Sequence, residues 1–155
     1  LLMPINIALL LIKSMDTNRI LTIGAAEQDM PIIEKFAQKL DLDCENFHYK
    51  EFIKAQKEGQ LIGFGRLRKY SNCTELATLG VLLTERKKGV GSAIVSKLIE
   101  IGPKEIFVTC VIPDFFKKVG FIQVKEYPAV LQKKIDFCKC YGYKTEEVFV
   151  MKLIK

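Results

Sequence analysis

The stretch from Thr74 to Glu100, TELATLGVLLTERKKGVGSAIVSKLIE, constrains the fold most, because it changes from a strand pattern to a helix pattern across one basic turn. Leu76 to Leu83 is apolar and short, which predicts a strand covered on both faces. From the turn onward, the apolar residues follow a helical stripe made of Val90, Ile94, Val95, Leu98 and Ile99. The stretch therefore predicts a strand, a tight turn and a helix in direct succession.

The turn between this strand and helix suits a bound diphosphate. Gly89 and Gly91 flank the helix start, and glycine lets a backbone approach a bound group closely. The free N–H groups of a first helical turn point outward and attract anions. Arg86, Lys87 and Lys88 add positive charge just before them. The P-loop and dinucleotide patterns are not met, because no Lys-Ser or Lys-Thr pair follows the last glycine and a third glycine is missing.

Composition limits the number of domains, the type of partner and the redox environment. The chain has 155 residues, which suits one domain, and no linker or repeat divides it. The net charge of +6 favours an anionic partner, but no run of Lys and Arg interleaved with aromatic residues indicates nucleic acid. The five cysteines are an odd number and three are isolated, which argues against a disulfide framework. We therefore expect a reducing, cytoplasmic environment.

Residues 1–14 form an apolar extension to which the sequence assigns no role. The extension is too short to span a bilayer, and it lacks the basic leading region and cleavage site of a signal peptide. Met15 is one option for the true start of the protein. Packing of the extension on the domain or on a partner chain is another. We expect the domain to occupy residues 15–155, without a membrane contact, as a monomer or a homodimer.

The rest of the chain supplies further strands and helices. The predicted strands outside the central stretch are residues 19–23, 49–56, 61–70, 105–110, 121–124 and 146–154. The predicted helices besides the central one are residues 31–40 and 113–119, with part of 128–143 also helical. The first of these helices has an apolar face made of Ile32, Ile33, Phe36, Ala37 and Leu40.

Two landmarks now carry a family resemblance. Arg86-Lys87-Lys88-Gly89-Val90-Gly91 resembles the acetyl-CoA pyrophosphate loop of the GCN5-related N-acetyltransferases (GNAT), in which Arg-x-x-Gly-x-Gly follows an apolar strand. Phe115-Phe116-Lys117-Lys118-Val119-Gly120-Phe121 looks like the family's second landmark, an aromatic pair on a short helix ending in Gly-Phe. The resemblance implies an α+β domain with one mixed, mostly antiparallel sheet of about seven strands. That sheet would be splayed between its fourth and fifth strands and flanked by helices.

A closer likeness is to the small amino-acid acetyltransferases related to N-acetylglutamate synthase. It rests on Leu61 to Arg68, on Glu75-Leu76, and on a late cysteine-containing stretch before Glu146-Glu147-Val148. Members of that group often carry Cys-x-x-Cys-Pro and a third cysteine in this stretch. Here only Cys138-Lys139-Cys140 is present, so we predict no metal.

The resemblance also implies where acetyl-CoA, the co-substrate, would bind. Backbone N–H groups from Arg86 to Ser92 would hold the diphosphate, and the pantetheine arm would lie between the splayed strands. Backbone near Val81 and Leu83 would bond that arm, with an N–H around Val81 facing the thioester oxygen. The predicted cofactor-binding residues are Val81, Leu82, Leu83, Arg86, Lys87, Lys88, Gly89, Val90, Gly91, Ser92 and Phe116.

Glu75 is the candidate general base, since a glutamate at the matching place serves that role in the histone-modifying branch of the family. Phe116 is a departure, because many members place there a tyrosine that protonates the CoA thiolate, and we expect it to line the thiol end of the cofactor. Water could donate the proton instead, as could a tyrosine among Tyr127, Tyr141 and Tyr143.

Arg66 and Arg68 share a face if their strand is regular, near Glu75 across the hairpin. Two guanidinium groups there could bind a substrate carboxylate, and a solvated strand face is the alternative. The sequence thus predicts an acetyl-CoA-dependent N-acetyltransferase acting on a primary amine of a small molecule, with an amino acid as one option. A protein N-terminal or lysine acetyltransferase, and a non-catalytic acetyl-CoA-binding module, are the alternatives.

Overall fold

The structure, a computed structural model, describes residues 19–155 of the chain. Its strands are β1 (Leu21–Gly24), β2 (Phe52–Lys57), β3 (Gln60–Lys69), β4 (Thr74–Val81), β5 (Glu105–Cys110), β6 (Ile122–Gln123) and β7 (Phe149–Ile154). Its helices are α1 (Met30–Lys39), α2 (Val90–Ile101), α3 (Pro113–Lys118) and α4 (Gln132–Cys140). The extension over residues 1–14 lies outside the described residues, so the domain boundary at residue 15 stays a prediction.

The seven strands form a single sheet in the order β1-β2-β3-β4-β5-β7-β6. Neighbouring strands are antiparallel except β4 and β5, which are parallel. The β4–β5 ladder contains only the pairs Glu75 with Phe107 and Leu76 with Val108, so the two strands separate beyond these residues. The predicted mixed, mostly antiparallel sheet with a splay between its fourth and fifth strands is confirmed.

Helix α2 covers one face of the sheet with its predicted apolar stripe. Val90, Ile94, Val95 and Leu98 are buried in the largest apolar cluster. Close approach of this helix to β3 requires glycine, because a Cβ atom at Gly63 would lie 2.9 Å from the Ile94 side chain. Burial of these side chains away from water is the main force that holds the helix on the sheet.

The opposite face of the sheet carries two smaller apolar clusters. One joins α1 to β2 and β3 through Ile33, Ala37, Phe52 and Phe64. The other joins α4 to β5 and β7 through Phe107, Leu131, Ile135 and Val150. Since the two helices cover different parts of this face, the middle of the sheet is left for other side chains, which prove to be polar.

Several element boundaries differ from the sequence-based prediction. Strand β4 ends at Val81 rather than Leu83, and the next residues form a 3₁₀ turn. The strand expected over residues 121–124 is reduced to two residues, and residues 128–143 contain the whole of α4. Ile32 of the predicted α1 face is exposed, because the buried side of that helix is narrower than its sequence pattern. None of the helices within residues 19–155 is long and apolar enough to cross a bilayer.

Candidate active site

The turn before α2 has the geometry of an anion-binding site. We call residues Arg86–Gly91 the RKKGVG segment. Gly89 has φ +83°, in the left-handed region where glycine is not strained, and it immediately precedes α2. The first helical hydrogen bond runs from the Ala93 N–H to the Gly89 carbonyl, at 3.0 Å. The N–H groups of Val90, Gly91 and Ser92 therefore have no acceptor within the helix and are available to an anion.

Charge around this segment is mostly exposed. The Arg86 Nε donates to the Val81 carbonyl at 3.4 Å, which folds the arginine back along the end of β4. Lys57 and Lys88 lie 3.8 Å and 3.6 Å from the Glu85 carboxylate. The segment thus adds positive charge near the helix start with side chains that few tertiary contacts restrain.

Two of the predicted cofactor-binding residues, Leu82 and Leu83, do not have the backbone environment expected for that role. The Leu82 N–H already donates to the Ile62 carbonyl at 2.9 Å, so it is not free in this structure. Leu83 belongs to the 3₁₀ turn and its side chain is 68% exposed, rather than buried in a strand. The chain leaves the sheet at this point, where the pairing of β4 with β3 ends at Val81.

A cavity of about 360 Å³ occupies the splay between β4 and β5. Its wall combines backbone-rich strand ends with side chains from α4 and from the segment after α1. The lining residues are Leu40–Asp43, Leu76–Leu79, Val108–Ile112, Phe116, Lys134, Phe137, Cys138, Tyr141 and Tyr143. Of the predicted site residues, only Phe116 belongs to this wall, so the predicted residues surround the cavity more than they line it.

A group of polar side chains fills the middle of the sheet face between α1 and α4. We call it the polar cluster, and it consists of Asp43, Arg66, Arg68, Tyr70, Glu75 and Lys134. Asp43 lies at its centre, with its Oδ2 3.1 Å from Lys134, 3.2 Å from Arg68 and 3.8 Å from Arg66. Burial acts to raise the pKa of the Asp43 carboxyl, but Lys134, the Glu45 N–H and Arg66 hold this pKa below its usual value.

Arg66 and Arg68 do share a face, but both are engaged by the chain itself. Arg66 is wholly buried, and its guanidinium donates to the Thr78 hydroxyl at 3.1 Å and to the Glu51 carboxylate at 3.3 Å. It also donates to two backbone carbonyls of the α1–β2 connection. The Arg68 guanidinium lies 3.2 Å from Asp43 and 3.5 Å from Glu45. Arg66 therefore fixes this connection on the sheet, and binding of substrate by either arginine stays a prediction.

Glu75 is buried, with 1% of its surface exposed, directly before the cavity-lining residue Leu76. Its Oε2 accepts a hydrogen bond from the Tyr70 hydroxyl at 3.0 Å, whereas its Oε1 has no hydrogen-bond partner in the described part of the chain. Burial raises the pKa of the Glu75 carboxyl, an effect that Lys134, Tyr70 and Arg68 only partly oppose. A carboxyl group in this setting binds a proton more tightly than one in water.

The aromatic landmark, Phe115 to Phe121, contributes to the hydrophobic core and also borders the cavity. Phe116 is buried and makes edge-on contacts with Phe115 and Phe121, at ring separations of 5.0 Å and 5.5 Å. Of the tyrosines considered as proton donors, Tyr141 and Tyr143 line the cavity. The hydroxyl of Tyr127 lies 3.4 Å from the Gln132 side chain and is outside the wall.

Sequence reasoning missed four residues of this region, namely Asp43, Tyr70, Thr109 and Lys134. Thr109 lines the cavity, and its buried hydroxyl has no hydrogen-bond partner among residues 19–155. Tyr70 could have been found, because it follows β3 directly and lies only five positions from Glu75. Asp43 and Lys134 gave no signal, since 91 positions separate them along the chain.

No group of three or more His, Cys, Asp or Glu side chains in the described residues is placed to hold a metal ion. Cys138 lines the cavity and Cys140 is exposed on the last turn of α4. The expected absence of a metal stays a prediction.

Comparison with solved structures identifies proteins with the same fold. N-acetylglutamate synthase from Neisseria gonorrhoeae, complexed with coenzyme A and N-acetyl-glutamate, superposes with a TM-score of 0.71 at 19% identity, over 88% of this chain and 35% of that one. Rv2747 from Mycobacterium tuberculosis, in a complex that includes CoA, gives 0.68 at 20% identity, over 87% and 99%. The PaiA N-acetyltransferase from Thermoplasma acidophilum, complexed with coenzyme A, gives 0.61 at 17% identity, over 88% and 99%.

Sequence comparison points the same way. An uncharacterized N-acetyltransferase of Chlorobaculum tepidum is 36% identical over 86 residues, which are 52% of this chain and 56% of that protein. The chain thus spans about half the length of this relative and about a third of the Neisseria enzyme. The sequence profile of the Acetyltransferase (GNAT) family matches residues 20–122, more than half of the chain. This match shows that the protein belongs to the Acetyltransferase (GNAT) family, and the splayed sheet and the RKKGVG segment agree with it.

Proposed function

We propose that this enzyme transfers the acetyl group of acetyl-CoA to the primary amine of a small molecule, with the α-amine of an amino acid as one option. The observation that carries the proposal is the cavity at the β4–β5 splay, whose wall residue Leu76 directly follows buried Glu75. Two structural neighbours are named N-acetylglutamate synthase and PaiA N-acetyltransferase, and these two proteins and Rv2747 form complexes with CoA, which supports the proposal.

Two features of the described residues support the binding of acetyl-CoA. The free N–H groups of Val90, Gly91 and Ser92 would hold the diphosphate, with Arg86, Lys87 and Lys88 adding charge. Beyond Leu76 the pairing of β4 with β5 stops, which leaves backbone groups of β4 unpaired on that side. An extended ligand could form hydrogen bonds with these groups. When bound, acetyl-CoA supplies an activated thioester, and the side chains around the cavity orient it and exclude water.

Glu75 is our candidate for the general base. The acceptor enters as an ammonium ion, and one proton must leave before the nitrogen can attack the thioester carbon. Glu75 Oε1 is free to accept that proton, through one water molecule if the amine stays inside the cavity wall. A pKa raised by burial brings the carboxylate closer to the basicity that this proton transfer needs.

Thr109 is our candidate for the hydroxyl that meets the leaving sulfur. Phe116 has no proton to donate, while Thr109 lines the same cavity with an unpartnered hydroxyl. As the carbon–sulfur bond breaks, the hydroxyl can donate a hydrogen bond to the thiolate and pass on the second proton of the acceptor nitrogen. The hydroxyl itself ends the reaction unchanged, and the products are the amide and CoA thiol.

A binding experiment and a turnover experiment together test the proposal. Thermal melting with acetyl-CoA and with NAD should show stabilisation by acetyl-CoA alone, by about 2.7 kcal/mol at a hundred times its Kd. CoA release is then measured with free amino acids, simple amines and peptides bearing a free N-terminus or lysine. Release only with peptides would replace the small-molecule acceptor by a protein. Binding of acetyl-CoA without release of CoA in the presence of any acceptor would instead support a non-catalytic acetyl-CoA-binding module.

A further inference from the structure

Tyr70 is held beside Glu75 by two hydrogen bonds and by a contact with a cation. Tyr70 directly follows β3, and its N–H donates to the Cys73 carbonyl at 2.8 Å, which closes the turn into β4. Its hydroxyl then donates to Glu75 Oε2 at 3.0 Å. The Arg68 guanidinium lies over the tyrosine ring, 5.1 Å from its centre. The turn fixes the backbone of Tyr70, and the cation packs against its ring.

This contact satisfies one carboxylate oxygen and leaves the other without a partner. Glu75 Oε1 is buried and accepts no hydrogen bond in the described residues. An unsatisfied buried acceptor costs stability, so Oε1 is placed to accept a proton or a hydrogen bond from a group outside the described residues. A carboxylate fixed through one oxygen presents the other in a constant direction, as a base that takes a proton must do.

We propose that Tyr70 is a positioning residue, whose hydroxyl holds Oε2 of Glu75 so that Oε1 faces the proton leaving the acceptor amine. This inference rests on the proposed role of Glu75 as the base. It adds a residue that is neither part of the cavity wall nor among the predicted cofactor-binding residues. Its consequence is that loss of one hydroxyl, outside the cavity, alters how the reaction depends on pH.

The charged and titratable groups around Glu75 determine the sign of that change. They are Arg68 on β3, Tyr70 and Cys73 at the β3–β4 turn, Asp43 after α1, and Lys134 and Cys138 on α4. The Tyr70 hydroxyl and the two cations stabilise the ionised carboxylate, whereas Asp43 destabilises it. Removal of the hydroxyl therefore makes the carboxylate harder to ionise.

The first test is the pH profile of kcat/KM for the acceptor in the Tyr70→Phe variant of the full chain. We expect the ascending limb to move to higher pH and the activity at acidic pH to fall roughly tenfold or more. The loss should shrink as the pH rises, and the Kd of acetyl-CoA should stay unchanged. Tyr49→Phe is the matched control, because the Tyr49 side chain stacks on His48 at another site and should leave the profile unchanged.

A second variant changes a different neighbour of Glu75, the Lys134 side chain on α4. Lys134→Met removes the cation that most favours the ionised carboxylate, so it should move the same limb in the same direction. Lys133→Met, at the exposed neighbouring position on α4, is its control. A ¹³C NMR titration of the glutamate carboxyl groups gives a readout that does not need turnover, and the Glu75 resonance should titrate at higher pH in Tyr70→Phe.

The outcomes separate this inference from the proposed function. Without acetylation of any acceptor by the wild-type protein, the proposed function fails. An active wild-type enzyme with an unchanged pH profile in folded Tyr70→Phe overturns the inference alone. A shifted Glu75 titration with an unchanged kinetic profile also overturns it, because the tyrosine would then hold a group that takes no part in turnover.

Discussion

The RKKGVG segment and the polar cluster are built in opposite ways. The segment is continuous in sequence, mostly exposed apart from buried Val90, and offers backbone N–H groups at the start of a helix. The polar cluster collects buried and half-buried side chains from β3, the turn after it, β4, α4 and the connection after α1. The segment therefore depends on local conformation, whereas the cluster depends on how distant parts of the chain pack.

This difference predicts two kinds of response to mutation. In the segment, binding and stability should be separable, because few tertiary contacts depend on its side chains other than that of Val90. In the polar cluster, each side chain supports its neighbours through ion pairs and hydrogen bonds in a poorly solvated setting. Stability and chemistry should be linked there, except where the replacement keeps the shape and removes only the charge.

Glu75→Gln is such a replacement and should have the largest effect on turnover. An amide keeps the size of the side chain but cannot accept the proton, so kcat should fall about 10²- to 10⁴-fold, the usual range for a general base. The Kd of acetyl-CoA should not change. Steady-state CoA release and calorimetric titration measure the two quantities. Turnover like that of the wild type across the pH range would remove Glu75 from this role.

The same variant should alter how stability depends on pH. Since burial raises the pKa of Glu75, the folded protein keeps a proton that the unfolded chain loses above about pH 4.3. Wild-type stability is therefore lost as the pH rises from that value through the folded-state pKa. Glutamine cannot ionise, so the Tm of the variant relative to wild type should rise across this window and then level off. A constant difference in Tm would show that the carboxyl is not perturbed.

Arg66→Met should have the largest effect on stability. It leaves the carboxylates of Glu51 and Asp43 and the Thr78 hydroxyl without their buried partner, which typically costs about 3–5 kcal/mol. Denaturant unfolding measures the loss. Arg86→Met in the RKKGVG segment is the control, with little change expected because that arginine is exposed and bonds only one carbonyl. Equal losses would contradict the contrast between the two regions.

Thr109→Val should have an intermediate, purely kinetic effect. Valine keeps the shape of threonine and removes a hydroxyl that has no partner in the described residues, so stability should not fall. If the hydroxyl meets the leaving sulfur, kcat should drop about tenfold, corresponding to one lost hydrogen bond of about 1.4 kcal/mol in the transition state. An unchanged kcat would assign protonation of the sulfur to water or to another group.

Gly91→Ala should have the smallest effect on the fold and still weaken cofactor binding. A Cβ atom at Gly91 would lie 3.5 Å from the Phe115 ring, an ordinary contact, and alanine favours a helix by up to about 1 kcal/mol over glycine. The Tm should therefore stay the same or rise slightly, while the added methyl group hinders close approach of a diphosphate to the backbone. Melting with and without acetyl-CoA shows both effects, and unimpaired binding would argue against diphosphate contact here.

Sequence reasoning succeeded where structure is decided by neighbouring residues. The boundaries of β5 and the apolar face of α2 follow from periodicity over a few turns or strand positions. It was less accurate for β6, which pairs over two residues only, and for α4, whose weak amphipathic pattern depends on contact with β5 and β7 for its stability. The candidate base was identifiable from a resemblance, but its burial and its bond to Tyr70 were not.

The sequence by itself determined the strand–turn–helix unit, because a glycine with a left-handed backbone and a free helix start arise from local conformation. Family membership follows from the same continuous pattern. Only the tertiary structure decided which charges meet. The side chains of Arg66, Arg68 and Lys134 converge on Oδ2 of Asp43, because β3, α4 and the segment after α1 meet on one face of the sheet. Electrostatic interactions depend on distance and burial, and neither quantity can be read from positions far apart in a linear chain.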